Sequence, residues 1–268
     1  MISGHSGYKI TFKDDKVYKQ SKKVESNYRL LQQACKQNQY ALIPYKNIII
    51  PTIYEITTID NLLTVEMEFF KGLDIIQCIE SFGAGQIQLI LQNIIYFLDE
   101  NIHESIPAII SYEVIDKKYA DVKSKIHKNY YSTLDDIFDR FNGKDLNIPI
   151  GLCHGDLTLS NMLFTPTKEL VLIDFLDSFI ETPLIDIVKL RQDTLHKWSC
   201  FKYKKKYDIN KVYLTLQYMD KYIVEYCKRY DWYNKYYQLF QFLNLIRILP
   251  YSNNQETIDF IMRELCQI

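Results

Sequence analysis

Features that define several other classes of protein are absent from these 268 residues. The net charge is only −1, so the chain offers no general electrostatic attraction to nucleic acid, and no nucleic-acid partner is expected. No segment of about 20 to 50 residues repeats itself convincingly, which argues against a repeat architecture. With 47% apolar and 24% charged residues, the composition is that of a globular protein large enough for one domain or two lobes.

Disulfide, zinc and membrane classes also lack support. The six cysteines are scattered without a C-x-x-C pair, at Cys35, Cys78, Cys153, Cys200, Cys227 and Cys266. That spacing favours reduced, mostly buried thiols. The N-terminus shows no basic stretch followed by an apolar one. The most apolar stretch, 87–98, is interrupted by polar residues and is too short to span a bilayer. We therefore expect a cytoplasmic protein without membrane insertion, whose oligomeric state the sequence does not indicate.

A short hairpin surrounded by polar residues is the most informative local pattern. Residues 162–164 and 170–175 are apolar apart from Asp174, and the Thr-Pro-Thr-Lys-Glu segment between them is typical of a turn. A His-Gly-Asp tripeptide at 154–156 and Asn161 precede the first strand, and Asp174 lies near the end of the second. The hairpin should bring these polar groups to one end. Two carboxylates and an amide oxygen are hard ligands that suit Mg²⁺.

This pattern resembles the catalytic core of the aminoglycoside phosphotransferase and choline kinase family, small-molecule relatives of the protein kinases. The shared elements are H-G-D-x-x-x-x-N and a second aspartate 18 residues after the first (174 − 156). The resemblance implies ATP, Mg²⁺ and transfer of the γ-phosphoryl group to a hydroxyl. It also implies that Asp156 is the catalytic base, that Asn161 and Asp174 bind the metal, and that His154 and Gly155 shape the loop.

The implied fold is an α+β, two-lobed, protein-kinase-like fold that begins with a small antiparallel sheet. Residues 8–20 are predicted to form its first hairpin, turned by two aspartates. Lys19 on the second strand is then implied to reach the α- and β-phosphates of ATP. Small residues at 3–7 would let backbone amides approach phosphate, so Ser6 and Gly7 are predicted nucleotide contacts.

A helix is predicted over 24–37. Its periodicity indicates an apolar face made of Tyr28, Leu31 and Cys35. In relatives this helix carries a glutamate paired with the strand lysine. Glu25 is predicted to fill that role for Lys19, with a hydrogen bond from Gln32 as the alternative. A surface pair with Arg29 is the other explanation for Glu25.

The predicted sheet continues with strands over 48–56 and 62–69. The second ends in Met-Glu-Phe-Phe-Lys-Gly, which resembles the hinge of the kinase group. The resemblance implies that backbone at Glu68, Phe69 and Phe70 contacts the adenine. An ordinary strand end is the alternative.

Helical periodicity dominates the rest of the chain. We predict an N-terminal nucleotide-binding lobe, 1–70, and a C-terminal helical lobe, 71–268, that holds the catalytic hairpin and the acceptor site. Helical spacing of apolar residues recurs over 87–98, 122–141, 212–227 and 236–249. Asp186, shortly after a proline, matches a helix start in the relatives and is predicted to cap that helix.

Substrate contacts are harder to predict. Asp177 lies just beyond the hairpin and is either a substrate contact or a satisfied turn residue. Arg247 interrupts an apolar run, where a charge is usually paired or faces a cleft. Tyrosines and a tryptophan over 226–237 suggest a cation–π site for a quaternary ammonium, but core packing is the simpler explanation. The basic run 202–206 is expected to be a solvated loop.

The acceptor is predicted to be a sugar, a polyol or an amino alcohol such as choline. Residues 190–268 are not notably acidic, which disfavours a polycationic aminoglycoside. A catalytically inactive nucleotide-binding scaffold and a protein kinase are the alternatives. The second is disfavoured because no arginine precedes Asp156 and only 11 residues (186 − 175) separate Phe175 from Asp186, too few for an activation loop.

Overall fold

The computed structural model describes residues 8–141, 143–203, 205–252 and 254–268. The strands are β1 (Lys9–Lys13), β2 (Lys16–Gln20), β3 (Ile48–Ile49), β4 (Ile53–Ile59), β5 (Leu62–Glu68), β6 (Leu73–Asp74), β7 (Ile106–Ile110), β8 (Leu146–Ile150), β9 (Met162–Phe164) and β10 (Leu170–Leu172). The helices are α1 (Asn27–Ala41), α2 (Ile75–Ser81), α3 (Ala84–His103), α4 (Tyr112–Lys123), α5 (Tyr131–Phe138), α6 (Pro183–Thr194), α7 (Trp198–Lys202), α8 (Ile209–Cys227), α9 (Asp231–Ile246) and α10 (Gln255–Leu265). The predicted α+β class is confirmed.

The chain packs as two compact units. Unit 1 contains the described residues up to Phe97 together with His154–Ser178 and Lys205–Val212. Unit 2 contains Leu98–Cys153, Phe179–Lys204 and Tyr213–Ile268. The lobes predicted from the resemblance, 1–70 and 71–268, divide the chain differently and stay a prediction.

Unit 1 begins with an antiparallel sheet of order β1-β2-β5-β4. The two hairpin turns have positive φ at both central residues: 49° and 56° at Asp14 and Asp15, and 53° and 62° at Asp60 and Asn61. Such turns match the right-handed twist of the paired strands, and Asp and Asn tolerate this backbone conformation. The predicted hairpin over 8–20 is therefore confirmed, and a second hairpin joins β4 to β5.

Helix α1 covers this sheet with a face that the sequence did not predict. Leu30 and Ala34 pack with Tyr8 and Val65 in the core. The predicted face was wrong, because Tyr28, Leu31 and Cys35 are all exposed. The buried face is half polar, which apolar periodicity cannot detect: Leu30, Gln33, Ala34, Lys36, Gln37 and Tyr40.

A second sheet in unit 1, of order β3-β10-β9-β6, holds the predicted hairpin of β9 and β10. Strand β3 pairs in parallel with β10, so that Ile48 lies opposite Leu170. The single predicted strand over 48–56 was therefore wrong, since the chain changes sheets between β3 and β4. Pro51 lies at this break, where its missing N–H removes a ladder hydrogen bond.

Unit 2 is mainly helical, with the two-stranded sheet of β7 and β8. Helix α6 is buried along its length. Its N-cap is Thr182, whose hydroxyl accepts from the Leu184 amide at 3.3 Å, and Pro183 occupies the first turn. Asp186 is buried within that turn, so its prediction as the cap was wrong. In the described parts of the chain, no helix is both long and apolar enough to cross a membrane.

Candidate active site

The β9–β10 hairpin and the loop before it bring the predicted catalytic groups together in unit 1. Asn161 Nδ2 donates to the backbone oxygen of Asp156 at 2.8 Å and to its Oδ2 at 3.0 Å. The backbone oxygen of Asn161 accepts from the Ile173 amide at 3.1 Å. The loop residue Asp156, the amide Asn161 and the strand that leads to Asp174 are thus joined by direct hydrogen bonds.

The backbone around this site is held in two unusual conformations. Gly155 has φ of 83°, and a Cβ there would lie 1.9 Å from the carbonyl oxygen of Leu176. Asp174 has φ of 61°, which is uncommon for a residue other than glycine. Such strain persists only where the surrounding contacts enforce it, and it concentrates at functional sites.

His154 joins the loop that carries Asp156 to the segment that carries Asp174. Its Nδ1 accepts from the Asp156 amide at 3.2 Å, so Nε2 carries the ring proton and donates to the Ile173 carbonyl at 2.9 Å. The imidazole packs on Phe175, with ring centroids 4.2 Å apart. Full burial lowers the pKa of His154 to about 4, which keeps the ring neutral near pH 7. This histidine therefore braces the loop.

Lys19 lies at the same site. Its ammonium donates to Asp174 Oδ1 at 2.9 Å and to Gln33 Oε1 at 3.1 Å. The side chain is 6% exposed, and its Nζ lies 4.9 Å from the centre of the Tyr8 ring. The lysine predicted to contact phosphate and the aspartate predicted to bind metal are therefore in direct contact.

The predicted partners of Lys19 on the helix were wrong. Glu25 is exposed in a 3₁₀ turn that precedes α1, and Gln32 is not the residue that reaches the lysine. Gln33 makes that contact because it shares the buried face with Leu30. The prediction failed since it placed the helix start and the buried face incorrectly.

Two further side chains of α1 were missed. Lys36 is buried, and its ammonium donates to the Leu176 carbonyl at 2.7 Å, two residues after Asp174. Gln37 Nε2 donates to the Pro51 carbonyl at 2.7 Å. With Gln33, these residues occupy positions i, i+3 and i+4, and that spacing of long polar side chains is the signal that could have identified them.

The predicted hinge follows β5. The Glu68 amide donates to the Thr52 carbonyl at 2.9 Å, and the Thr52 amide donates back to Glu68 Oε2 at 3.2 Å. Phe69 is 39% exposed and meets Phe12 edge to face, with ring centroids 5.5 Å apart. Adenine contacts at Glu68, Phe69 and Phe70 stay predictions.

The remaining predicted contacts are not brought into this cluster by the described contacts. Ser6 and Gly7 lie outside the described residues. Asp177 is an exposed residue of unit 1. Arg247 belongs to unit 2, just after α9, and its Nε donates to Asn244 Oδ1 at 2.9 Å. Their roles as nucleotide or substrate contacts stay predictions.

The aromatic cluster of unit 2 faces cations of the chain itself. The Arg229 guanidinium carbon lies 3.9 Å from the centre of the Tyr226 ring. The Arg191 guanidinium lies 4.4 Å from the centre of the Tyr237 ring. These contacts support the simpler explanation, that the rings serve internal packing.

Three solved structures share this fold. The GDP and kanamycin complex of APH(2")-IIia has a TM-score of 0.69 at 15% identity, and the match covers 100% of this chain and 91% of that chain. A thermostable mutant of the aminoglycoside phosphotransferase APH(4)-Ia, in complex with AMP-PNP and hygromycin B, has a TM-score of 0.64 at 9% identity, over 97% and 92%. APH(3'')-Id from Streptomyces rimosus, with ADP and streptomycin, has a TM-score of 0.52 at 10% identity, over 91% and 94%.

Sequence comparisons support the same relationship over part of the chain. Residues 123–204 match the model of the Phosphotransferase enzyme family, APH. "Uncharacterized protein MG356 homolog" from Mycoplasma pneumoniae is 36% identical over 59 residues, which is 22% of this chain and 21% of that protein. The chain therefore matches about a fifth of that curated relative. The predicted resemblance to the aminoglycoside phosphotransferases and the kinase-like fold are confirmed.

The cluster has the chemistry of a cation and phosphate site. Asn161 uses its amide nitrogen on Asp156, so its Oδ1, on the other edge of the amide, is the atom that would bind a metal ion. The Asp174 carboxylate, with its side chain 32% exposed, would provide a second hard oxygen ligand. Lys19 supplies a positive charge beside it. These residues fit Mg²⁺ bound to a polyphosphate.

Proposed function

We propose that this protein is an ATP- and Mg²⁺-dependent phosphotransferase that moves the γ-phosphoryl group to a hydroxyl of a small molecule. The observation that carries the proposal is the convergence of Asp156, Asn161, Asp174 and Lys19 in unit 1. The confirmed kinase-like fold and the family match over 123–204 support it.

Asp156 is proposed to be the catalytic base. The acceptor oxygen forms a bond to the γ-phosphorus, and the bond from that phosphorus to the β,γ-bridging oxygen breaks, so ADP leaves with the electron pair. The hydroxyl proton passes to the Asp156 carboxylate. Because Asn161 donates to one oxygen of that carboxylate, the other can be directed to the acceptor.

Charge neutralisation supplies much of the remaining catalysis. Asn161 and Asp174 would hold Mg²⁺, which when bound neutralises charge on the phosphates. Lys19 is proposed to bind the α- and β-phosphates. Because little covalent work falls to the protein, positioning of these groups is the main contribution.

The acceptor is proposed to be a sugar, a polyol or an amino alcohol such as choline. The similar structures hold kanamycin, hygromycin B and streptomycin, so small molecules that carry hydroxyls bind to proteins of this fold. We prefer these acceptors to a polycationic aminoglycoside because residues 190–268 are not notably acidic. A cytoplasmic location without membrane insertion is proposed from the composition.

ADP release from Mg²⁺-ATP, with and without a panel of acceptors, tests the proposal. The panel contains choline, ethanolamine, hexoses, sugar phosphates, polyols and aminoglycosides. Asp156→Asn removes the base and should lower turnover at least ~10²-fold. Asp259→Asn, at an exposed position of α10, is the matched control and should keep full turnover.

Each outcome is informative. An acceptor that raises ADP release in the wild type and in Asp259→Asn, but not in Asp156→Asn, supports the proposal and identifies the acceptor class. Nucleotide binding without turnover on any acceptor favours a binding protein of the same fold. If label from ATP appears on protein rather than on the small molecules, the protein is a protein kinase. Absence of nucleotide binding refutes the proposal.

A further inference from the structure

The lysine of the site is held by an amide where the resemblance led us to expect a carboxylate. Gln33 Oε1 accepts from Lys19 Nζ at 3.1 Å. Glu25, the acidic residue within the predicted helix 24–37, is exposed and precedes α1. Among the described contacts, the carboxylate that Lys19 meets is Asp174, which is itself a proposed metal ligand.

Gln33 is poorly suited to its surroundings apart from this one contact. It is 5% exposed and lines a small cavity with the apolar side chains Leu30, Ala34 and Val65. Its Nε2 makes no hydrogen bond of normal geometry to the described residues. It interacts weakly with the Tyr8 hydroxyl: burial raises the pKa of Tyr8, and Arg29 and a hydrogen bond with Gln33 partly offset that rise. A buried amide whose nitrogen is only weakly hydrogen-bonded stabilises a core less well than an apolar side chain of the same shape.

We infer that Gln33 is a positioning residue that acts through Lys19, fixing its ammonium where it meets Asp174 and the phosphates. This inference rests on the proposed function. Gln33 touches neither phosphate nor acceptor in this role. Its uncharged oxygen accepts from the ammonium without adding a second carboxylate beside the one that Asp174 already supplies.

A double-mutant cycle tests whether Gln33 acts through Lys19. The variants are Gln33→Met, Lys19→Met and the double variant, and the measurement is the dissociation constant of Mg²⁺-AMP-PNP by calorimetry. Methionine matches glutamine in shape and removes only the polar atoms. Gln33→Glu restores an oxygen acceptor. Gln39→Met, at an exposed position of the same helix, is the matched control.

Gln33→Met is expected to raise the dissociation constant about tenfold, the loss associated with one hydrogen bond to a charged group. In the Lys19→Met background the same change should have less than about a twofold effect, since residues in contact show non-additive effects. Gln33→Glu should bind within about threefold of wild type, Gln39→Met should bind as wild type, and all variants should melt normally.

Three results would overturn the inference while leaving the proposed function intact. The first is wild-type nucleotide binding by Gln33→Met. The second is an equal loss of affinity in both backgrounds, and the third is no recovery of affinity with Gln33→Glu; either of these would show a purely structural role. If the wild-type protein itself does not bind Mg²⁺-AMP-PNP, the proposed function is refuted and the inference with it.

Discussion

Replacing Gly155 with alanine is expected to displace the segment that carries Asp174. The new Cβ would lie 1.9 Å from the Leu176 carbonyl oxygen and 2.8 Å from its carbonyl carbon. Both are backbone atoms, so no side-chain rotation relieves the overlap. Ordinary van der Waals contact requires the Leu176 backbone to retreat by roughly 1 to 1.5 Å.

The magnitude follows from two terms. A left-handed backbone at a residue with a Cβ costs about 1–2 kcal/mol, and forced overpacking about 1–3 kcal/mol. Their sum, about 2–5 kcal/mol, corresponds to a Tm lowered by about 4–20 °C for a chain of this size. Because Leu176 follows Asp174 by two residues, nucleotide and metal binding should weaken as well.

Thermal unfolding and Mg²⁺-AMP-PNP titration of Gly155→Ala measure both effects. Gly85→Ala is the control, since a Cβ there would meet no described atom within 4 Å beyond its chain neighbours and its own helix backbone, and the residue is in helix α3. That change should leave Tm unchanged or raise it slightly, because alanine favours a helix over glycine by about 0.5–1 kcal/mol. A Gly155→Ala protein that melts within about 1 °C of wild type and binds nucleotide normally would refute the reasoning.

Three further changes probe other contacts. Acidification should destabilise the protein through His154, because folding lowers the pKa of this histidine from 6.5 to about 4. Its contribution to the free energy of unfolding is full above about pH 6.5 and falls by ~3 kcal/mol towards pH 4, which urea unfolding at a series of pH values would measure. Lys36→Met should weaken Mg²⁺-AMP-PNP binding several-fold in a titration, because Leu176 loses a hydrogen bond from a charged donor worth ~1.5–3 kcal/mol. Asp220→Asn should lower the free energy of unfolding by ~3–5 kcal/mol in a denaturant titration, since it leaves the buried charge of Arg191 uncompensated.

Controls and contradicting results are specific to each change. His154→Asn should reduce the change in the free energy of unfolding between pH 6.5 and pH 4. If this pH dependence is unchanged in the variant, it arises from other titratable groups. Lys23→Met, at an exposed position, should bind nucleotide as wild type, and equal loss in both lysine variants would remove the special role of Lys36. Lys228→Met breaks an exposed pair with Glu225 and should change stability by less than ~1 kcal/mol, so a similar loss from Asp220→Asn would show that pair to be equally weak.

Sequence patterns predicted those parts of unit 1 that depend on neighbours along the chain. The Asp-Asp and Asp-Asn turns adopt the backbone expected of tight hairpins, and the polar loop before β9 meets the residue that follows β10. In each case, one short segment contains both the strands and the turn residues that determine their pairing.

Long-range contacts could not be predicted in the same way. Gln33, Lys36 and Gln37 are buried because each finds a hydrogen-bond partner more than ten residues away, and apolar periodicity treats such positions as surface. The division of 48–56 between two sheets follows from a pairing with β10. Hydrophobic patterns predict which apolar side chains are buried. The hydrogen-bond partners of buried polar side chains can be identified only once the fold is known.

The pairing of β3 with β10 also has a consequence for the order of assembly. Ile48 and Leu170 are 122 residues apart (170 − 48), so loop closure must precede any gain from their contact. At a synthesis rate of about 5–20 residues per second, β3 leaves the ribosome about 6–24 s before its partner. The β1–β2 and β4–β5 hairpins can close early, but the sheet beside the loop that carries Asp156 forms only after β10 has been synthesised. A nascent chain would therefore acquire its first sheet well before its second.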